Sequence, residues 1–253
     1  MNQVVCIVAV APLRREASHG SEIVTELLFG EYAEILAAEK DFVQVKCLYD
    51  GYEGWCQRTQ LMETATVLET AKFVGEAIQH IHFNQQICRI SCATPVYTAK
   101  EEIKFGNLSV QYNSSNIIDA TAMAFNAANI QSIAYLFLNT PYLWGGKSVF
   151  GIDCSGFTQQ VYKLFNIQLQ RDASQQVEAG DVVGFLQEAV CGDLAFFDNA
   201  EGRITHVGIL LNSAEIIHAS GRVRIDSIDN AGIISSDTGE RTHNLRIIKR
   251  YKK

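Results

Sequence analysis

One cysteine of this chain lies where a protein can turn a thiol into a nucleophile. Cys154 follows Asp153, and the apolar residues after it recur at helical spacing, at Phe157, Val161, Leu164 and Phe165. This spacing predicts a helix that begins at the cysteine, with Asp153 as its N-cap. Free backbone N–H groups and the helix dipole at that end favour an anion, so we expect a lowered pKa for the Cys154 thiol. The alternative is a buried cysteine that packs as a small hydrophobic side chain.

Two histidines lie in a predicted β-hairpin further along the chain. Residues 205–211 and 215–220 are strand-like on either side of a short turn. His206 and His218 are each six residues from Asn212, the centre of that turn. A hairpin centred there places the two side chains opposite each other on one face, with Cβ atoms about 5 Å apart. Gly208 is expected to leave space beside them for a substrate or a helix terminus.

A cysteine and two histidines can together perform nucleophilic catalysis. The thiol needs a base within hydrogen-bond reach, and the base needs a third polar group that fixes its tautomer. Cys154, His206 and His218 fit these roles as nucleophile, general base and orienting residue. Two alternatives remain, namely histidines that are satisfied structural side chains and a zinc site made of the same three residues. The zinc site lacks an evident fourth ligand, and the catalytic interpretation uses no metal and no cofactor.

Composition excludes some classes of function. The 253 residues carry 21 Lys and Arg against 28 Asp and Glu, a formal net charge of −7, so nucleic acid is not an expected partner. Seven cysteines without a CxxC pair are expected to be free thiols in a reducing compartment. Residues 4–11 are apolar, but they are too few for a membrane span and lack the basic start of a signal peptide. We therefore expect a cytoplasmic protein, or a periplasmic or secreted one if a signal has been removed.

The elements that position these residues fall into four predicted segments. Short strand-like runs separated by turns over residues 1–63 predict a small β-barrel. Apolar residues at helical spacing predict a helical linker over 64–80. Strand-like runs return over 81–127, as a second, degenerate barrel or as a strand-rich extension of the first. Residues 128–253, which begin with an apolar helix over 130–138, carry the chemistry.

Five short motifs in residues 128–253 resemble one known family in order and spacing. They are Pro-Tyr-x-Trp-Gly-Gly from Pro141, Asp-Cys-Ser-Gly from Asp153, Gly-Asp-Leu-x-Phe-Phe from Gly192, His-Val-Gly-Ile from His206 and Ile-His-Ala-Ser-Gly from Ile217. Together they resemble the NlpC/P60 cysteine peptidases, which have a papain-like α+β fold and hydrolyse amide bonds in bacterial cell-wall peptides. Residues 21–31 and 51–55 are similar to segments of bacterial SH3-like domains. The resemblance therefore implies an α+β catalytic domain preceded by one or two SH3-like barrels.

The resemblance also implies a role for individual residues. Cys154 becomes the nucleophile, His206 the general base and His218 the third polar residue, while Tyr142 lines the site and helps to hold the oxyanion or the thiolate. The pairing of domains resembles dipeptidyl-peptidases of this family, in which the barrel helps to bind a free N-terminal amine. The residues that match that amine site are Asp153, Ser155, Glu16, Tyr52 and Ser174.

The expected substrate follows from the same resemblance. We expect hydrolysis of the bond between γ-D-glutamate and a diamino acid, meso-diaminopimelate or L-lysine, in murein tripeptides or longer stem peptides with a free N-terminal L-alanine. A required free amine would exclude intact wall and indicate recycling of released peptides. The alternatives are a hydrolase of intact peptidoglycan acting after export, a module that only binds wall peptides, and an acyltransferase or amidase of the papain-like superfamily.

Overall fold

The computed structural model describes residues 3–98, 102–112 and 116–251, and the chain forms two compact units. The first unit comprises Met1–Thr121 together with Leu143–Gly151, and the second comprises Ala122–Tyr142 with Ile152–Lys253. The predicted catalytic domain over 128–253 is therefore not one continuous stretch, because Leu143–Gly151 clusters with the first unit.

The first unit begins with seven antiparallel strands: β1 (Gln3–Cys6), β2 (Val10–Arg14), β3 (Ile23–Leu28), β4 (Tyr32–Glu39), β5 (Phe42–Cys47), β6 (Glu53–Gln57) and β7 (Leu61–Thr64). They form one sheet in the order β3-β2-β6-β5-β4-β1-β7, which confirms the predicted alternation of strands and turns. The apolar residues 4–11 contribute to two strands, because β1 pairs with β4 and β7 whereas β2 pairs with β3 and β6. A Cβ at Gly54 would lie 2.9 Å from the Leu13 Cβ, so glycine allows β6 to approach β2.

The helix predicted over residues 64–80 is wrong. This part of the chain contains the end of β7, β8 (Lys72–Val74) and the start of β9 (Ile78–Phe83). Along β9 the buried Gln79 and Ile81 alternate with the exposed His80 and His82. The prediction rested on apolar residues spaced by four, three and four positions from Val67 to Ile78, but Ile78 is exposed at the start of β9 and the neighbouring Gln79 is buried instead. These apolar residues therefore do not correspond to one buried face.

The remaining strands of the first 121 residues form two small sheets. They are β10 (Gln86–Ser91), β11 (Ile103–Phe105), β12 (Leu108–Tyr112) and β13 (Ile117–Asp119), arranged as β10-β9-β12-β11 and β13-β8. Their buried side chains share a hydrophobic core with Val5 and Tyr32 of the first sheet and with Phe29, which follows β3. The predicted boundary at residue 81 therefore does not separate two cores, and these strands belong to one compact unit with the first sheet.

The segment Leu143–Gly151 is held in the first unit by buried charges. The backbone N–H of Lys147 donates to the Glu26 carboxylate at 2.7 Å, and the Lys147 Nζ lies 3.7 Å from Glu31. Lys147 is fully buried, and both carboxylates are at most 6% exposed. The Trp144 indole N–H also donates to Glu22 at 2.7 Å. These contacts explain why a stretch within the predicted catalytic domain belongs elsewhere. Strand β14 (Lys147–Ser148) lies within this segment, and β15 (Gly151–Ile152) begins at its last residue.

The second unit combines helices with one antiparallel sheet. Its helices are α1 (Ala127–Tyr135), α2 (Cys154–Lys163) and α3 (Ala173–Gln176), and its strands are β16 (Asp181–Val183), β17 (Leu194–Asp198), β18 (Ile204–Leu210), β19 (Glu215–Ser220), β20 (Arg222–Asp229), β21 (Gly232–Ile234) and β22 (Arg241–Arg250). The sheet runs β16-β22-β17-β18-β19-β20-β21, and a further pairing of β21 with β22 closes six of these strands into a barrel. Helix α2 packs against β18 and β19. This is the α+β architecture predicted from the motifs.

The described helices and cysteines bear on two further expectations. Of the helices in the described ranges, none has the length and apolar composition needed to cross a membrane. All seven cysteines lie within those ranges, and each is a free thiol.

Candidate active site

Helix α2 begins at Cys154, as the sequence predicted. Asp153 adopts an extended backbone conformation, and its carboxylate accepts a hydrogen bond from the Gly156 N–H at 2.7 Å. This N-cap satisfies one of the free backbone donors at the helix start. The Cys154 side chain, at the first position of the helix, is only 6% exposed.

Burial, not the helix end, controls the protonation of this thiol. The pKa of Cys154 is raised to about 12, mainly by burial and then by the nearby Asp153 carboxylate. Backbone hydrogen bonding from Val207, the Arg171 guanidinium and backbone hydrogen bonding from Ser155 lower the pKa but do not overcome these effects. The expectation of a lowered pKa is therefore wrong for the resting thiol, because it neglected the desolvation that disfavours the charged form.

A buried arginine that the sequence did not identify holds the start of α2. Arg171 is 1% exposed, and its Nη2 donates to Asp153 Oδ2 at 2.6 Å. Its Nη1 lies 3.0 Å from both Asp153 Oδ1 and Ser155 Oγ. Asp153 and Ser155, which the resemblance assigns to amine binding, thus already accept hydrogen bonds from a guanidinium. No local pattern of the sequence indicates that this arginine is buried.

The two histidines form the predicted contact through a different strand register. Strands β18 and β19 pair Ile209 with Ile217 and Leu210 with Ile216, two residues away from the register centred on Asn212. A shift of one residue would have moved one histidine to the other face, whereas a shift of two keeps both on the same face. His206 and His218 are therefore diagonal neighbours rather than directly opposed. The predicted strand register is therefore wrong, whereas the prediction that both histidines lie on the same face of the sheet is correct.

The histidines belong to a hydrogen-bonded chain that ends at a carboxylate. His206 Nε2 lies 2.8 Å from His218 Nδ1, and His218 Nε2 lies 3.0 Å from Asp226 Oδ2. His206 is 6% exposed, His218 is fully buried and Asp226 is 4% exposed. Burial lowers the pKa of His206 well below its usual range, and His218 and His243 lower it further, so His206 rests as a neutral imidazole. The sequence analysis did not single out Asp226.

A third histidine, also absent from the sequence prediction, completes the cluster. The His243 ring, on β22, stacks on the His206 ring with centroids 4.1 Å apart and planes inclined by 26°. A cavity of about 320 Å³ opens at this pair and is lined by Tyr142, Thr205, His206, Ala219, Ser220, Gly221 and His243. The cavity gives a substrate access to the exposed side of the histidine pair.

Tyr142 is fixed in the wall of this cavity by its backbone. Its N–H donates to the Gly221 carbonyl at 2.9 Å, and the residue forms an isolated parallel bridge with Ile152, two positions before Cys154. The Tyr142 pKa is raised mainly by burial and further by Cys154 and Asp153. Its hydroxyl therefore stays protonated and can donate a hydrogen bond.

Gly208 does not leave room for a substrate. A Cβ at this position would lie 2.7 Å from the Ile216 side chain and 2.8 Å from the His218 Cβ. The space expected beside the histidines is filled by these two residues. Glycine is needed here because strands β18 and β19 bring His218 against the backbone of β18.

The three histidines also satisfy a distance test for metal binding. One ring nitrogen from each of His206, His218 and His243 lies within 4.8 Å of the others. However, both ring nitrogens of His218 already contact His206 and Asp226 at hydrogen-bond distance. A metal ion would have to break that chain. The hydrogen-bonded arrangement therefore favours proton transfer over a metal ion held by these three histidines, and this cluster does not include Cys154 of the zinc site considered from the sequence.

The other residues matched to an amine site lie in different surroundings. Glu16 is exposed in the first unit, and Tyr52 is half-buried between β5 and β6 of that unit. Ser174 is exposed on α3 and lines a second cavity, with Glu178, Arg203 and Thr205 among its neighbours. A role for these residues in amine binding stays a prediction.

The buried histidines predict how stability depends on pH. The pKa of His243 is lowered to about 4, mainly by burial and then by His218. A histidine in the unfolded chain has a pKa of about 6.5. Between these values the unfolded chain binds a proton that the folded chain does not, so the free energy of unfolding must decrease as pH falls from about 6.5 to about 4. We expect His243→Asn to make this decrease less steep, as measured by urea unfolding at each pH.

A direct titration provides the control for that experiment. Proton NMR of the His243 ring should show a midpoint near 4, where burial places its pKa. A midpoint near the unfolded value, together with an unchanged slope in the variant, would contradict the desolvation of this ring.

Comparisons with known proteins agree with this geometry. The model of the NlpC/P60 family matches residues 139–242, and that of the bacterial dipeptidyl-peptidase SH3 domain matches residues 13–61. The chain is 30% identical over 218 residues to the gamma-D-glutamyl-L-lysine dipeptidyl-peptidase of Bacillus subtilis, covering 78% of this chain and 72% of that protein. It is 28% identical over 260 residues to dipeptidyl-peptidase 6 of Lysinibacillus sphaericus, covering 90% and 92% of the two chains.

A solved structure supports the fold over the same extent. The crystal structure of an NlpC/P60 family protein from Bacillus cereus aligns with a TM-score of 0.79 at 21% identity, over 98% of this chain and 99% of that one. The family assignment rests on the sequence of the Bacillus subtilis relative, because the similarity extends over most of both chains. Helix α2, which begins at Cys154, packs on the two strands that carry His206 and His218. The chain belongs to the NlpC/P60 family of cysteine peptidases.

Proposed function

We propose that this peptidase hydrolyses the bond between γ-D-glutamate and a diamino acid in cell-wall peptides that carry a free N-terminal L-alanine. Cys154 is the nucleophile, His206 the general base and His218 the residue that orients it. The observation that carries the proposal is the 2.8 Å contact between His206 Nε2 and His218 Nδ1, in a unit where the helix of Cys154 packs on the strands of both histidines. This contact leaves Nδ1 of His206 for the thiol.

The resting protonation states define how the reaction begins. The raised pKa of Cys154 and the lowered pKa of His206 both favour the neutral thiol and imidazole before substrate binds. The proton therefore moves from the sulfur to His206 Nδ1 as the sulfur attacks the γ-glutamyl carbonyl. The charge then lies on the carbonyl oxygen, where preorganised donors stabilise it most effectively.

The chain's own donors can serve that oxyanion and the later steps. The donors proposed for the oxyanion are the backbone N–H of Cys154, at the start of α2, and the hydroxyl of Tyr142, which burial keeps protonated. The imidazolium of His206 then gives its proton to the leaving amine of the diamino acid, which breaks the C–N bond and leaves a thioester. His206 next removes a proton from water, whose attack releases L-alanyl-γ-D-glutamate and restores the thiol.

The substrate is proposed from the names of relatives. The Bacillus subtilis relative is a gamma-D-glutamyl-L-lysine dipeptidyl-peptidase, and the SH3 match over residues 13–61 is to a domain of bacterial dipeptidyl-peptidases. An enzyme that removes a dipeptide from an amino end must recognise that end. In intact wall the L-alanine amine is amidated to muramic acid, so a required free amine restricts the enzyme to released peptides. We accordingly propose a role in recycling such peptides in the cytoplasm.

Two pairs of substrates test this proposal. L-Ala-γ-D-Glu-L-Lys and its meso-diaminopimelate counterpart are each compared with an N-acetylated twin, and Cys154→Ala serves as the inactive control. We expect cleavage of the free peptides alone, with L-alanyl-γ-D-glutamate as product, and no turnover by the variant.

The other outcomes separate the alternatives. Equal cleavage of free and acetylated peptides would contradict the amine requirement and favour a hydrolase of intact wall. Binding of both peptides without cleavage would favour a peptide-binding module. Transfer of the acyl group to a second amine in place of water would favour an acyltransferase.

A further inference from the structure

A buried carboxylate contacts the far end of the histidine pair. Asp226 Oδ2 lies 3.0 Å from His218 Nε2, and the residue is 4% exposed. Its position follows from strand pairing, because β20 places Asp226 directly opposite Ile216, two residues before His218 on the same face of β19. The carboxylate is thus the diagonal neighbour of the His218 imidazole.

The second oxygen of this carboxylate is held by several donors. Asp226 Oδ1 accepts from Arg224 Nε at 3.1 Å and Nη2 at 2.9 Å, and from the Ser236 backbone N–H and hydroxyl, both at 2.8 Å. Arg224 is in turn paired with Asp237 at 2.7 Å. The carboxylate is therefore fixed in orientation, with Oδ2 directed at His218, and the arginine compensates its charge in the protein interior.

Hydrogen bonding requires this group to be an anion. Burial alone would raise the pKa of Asp226, but the bonds from His218 and Ser236 outweigh it and hold the pKa well below its usual range. An ionised carboxylate can only accept hydrogen bonds. His218 must therefore carry its proton on Nε2, which leaves Nδ1 as an acceptor. His206 must then carry its proton on Nε2, and its Nδ1 is left unprotonated.

We propose that Asp226 is a positioning residue that fixes the tautomer of His218 and, through it, the tautomer of His206 that can take the Cys154 proton. The inference rests on the roles proposed above for Cys154 and the two histidines. Asp226 touches neither substrate nor thiol, and it acts only through the two imidazoles.

The change Asp226→Asn is expected to move the ring proton of each histidine from Nε2 to Nδ1, while the size and shape of the side chain at position 226 stay nearly the same. The four donors around Oδ1 hold the amide oxygen at that position, so the amide nitrogen faces His218 Nε2. An amide N–H donates, which requires His218 to accept at Nε2 and to carry its proton on Nδ1. His206 must then accept at Nε2 and carry its proton on Nδ1, where it cannot receive the thiol proton.

The expected kinetic effect is large and selective. In serine peptidases, a carboxylate-to-amide change beside the catalytic histidine lowers kcat about 10⁴-fold through the wrong tautomer. Asp226 acts through one further imidazole, so we expect Asp226→Asn to lower kcat by about 10²-fold or more, with KM within about threefold. Alkylation of Cys154 by iodoacetamide at neutral pH should slow as well, because His206 no longer accepts the thiol proton.

A second carboxylate on the same strand provides a matched control. Asp229 lies on β20, pairs with Arg241 at 2.7 Å and accepts hydrogen bonds from two backbone N–H groups. Like Asp226 it is paired with an arginine and bonded to the backbone, but none of these contacts is with a histidine. Asp229→Asn should leave kcat and the rate of alkylation within about twofold of the wild type. The urea unfolding midpoints of both variants show whether either change disturbs the fold.

The decisive readout is the position of the ring protons. Nitrogen-15 NMR of histidine-labelled protein should place the proton of His218 on Nε2 in the wild type and on Nδ1 in Asp226→Asn. In a His218→Asn background there is no imidazole at position 218 whose tautomer could change, so adding Asp226→Asn should lower kcat by less than about threefold.

Each contrary outcome overturns the proposal in a recognisable way. A wild-type His218 protonated on Nδ1 would refute it without any variant, even if Asp226→Asn failed to fold. An unchanged kcat and tautomer in the variant, or an equal loss in the His218→Asn background, would do the same. The NMR and alkylation readouts need no peptide substrate, so they test Asp226 even if the proposed peptides are not cleaved.

Discussion

His206→Ala is expected to lower kcat by about 10⁴-fold or more with little change in KM. In the hydrogen-bonded chain of His206, His218 and Asp226, both ring nitrogens of His218 are engaged, whereas Nδ1 of His206 takes part in neither contact. Without it the thiol of Cys154 has no base, and the raised pKa of that buried thiol leaves very little thiolate near neutral pH. Steady-state kinetics on the free tripeptide at neutral pH measures the loss. A decrease of less than about tenfold would show that another group takes the proton.

Substitutions at His218 test the second role in the same assay. The Oδ1 of an asparagine corresponds in position to His218 Nδ1 and can accept from His206, as asparagine does in papain-like peptidases. We therefore expect His218→Asn to keep more activity than His218→Ala. Because the residues act as a unit, His206→Ala combined with His218→Ala should be no slower than His206→Ala alone. An additive loss would indicate that His218 contributes independently of His206.

The start of α2 could be predicted because its signals are local. An N-cap residue, a cysteine and an apolar stripe all lie within residues 153–165, and the helix begins at Cys154 as these predict. Predicting the contact between the two histidines also required the register of strands β18 and β19. The alternation of strands fixed which face each histidine occupies, but the register depends on the hydrogen bonds of the turn, and these shift it by two residues. An even shift preserves the face, so the contact between the rings survives an incorrect register.

Asp226, His243 and Arg171 could not be predicted because long-range pairing or burial determines their positions. Asp226 reaches His218 only through the pairing of β19 with β20, and His243 reaches His206 only because β22 closes the barrel against β17 and β21. Arg171 carries no local mark that distinguishes it from an exposed arginine. The incorrect helix over residues 64–80 has the opposite cause, since a local pattern of apolar residues is present there but does not correspond to one buried face, with Val74 buried in β8 and Ile78 exposed in β9.

Arg171→Met is expected to lower the free energy of unfolding by about 3–5 kcal/mol, because it leaves a buried carboxylate without its cation. The guanidinium is 1% exposed and contacts both oxygens of Asp153 as well as Ser155 Oγ. Methionine keeps a long apolar side chain in the same space, so the loss reports the charge and hydrogen bonds rather than a cavity. Urea unfolding followed by far-ultraviolet circular dichroism measures the change.

An exposed arginine pair supplies the control and completes the argument. Arg241 contacts Asp229 in a similar two-pronged geometry, but the side chains are 35% and 48% exposed, so Arg241→Met should change stability by no more than about 1 kcal/mol. If both changes have equally small effects, Arg171 does not hold the N-terminus of α2. If Arg171→Met destabilises as expected, replacing Asp153 by asparagine as well should recover part of the loss, because the uncompensated charge is removed. The recovered protein should remain less active than the wild type, because Asp153 caps the helix that begins at Cys154 and Arg171 fixes the orientation of that cap.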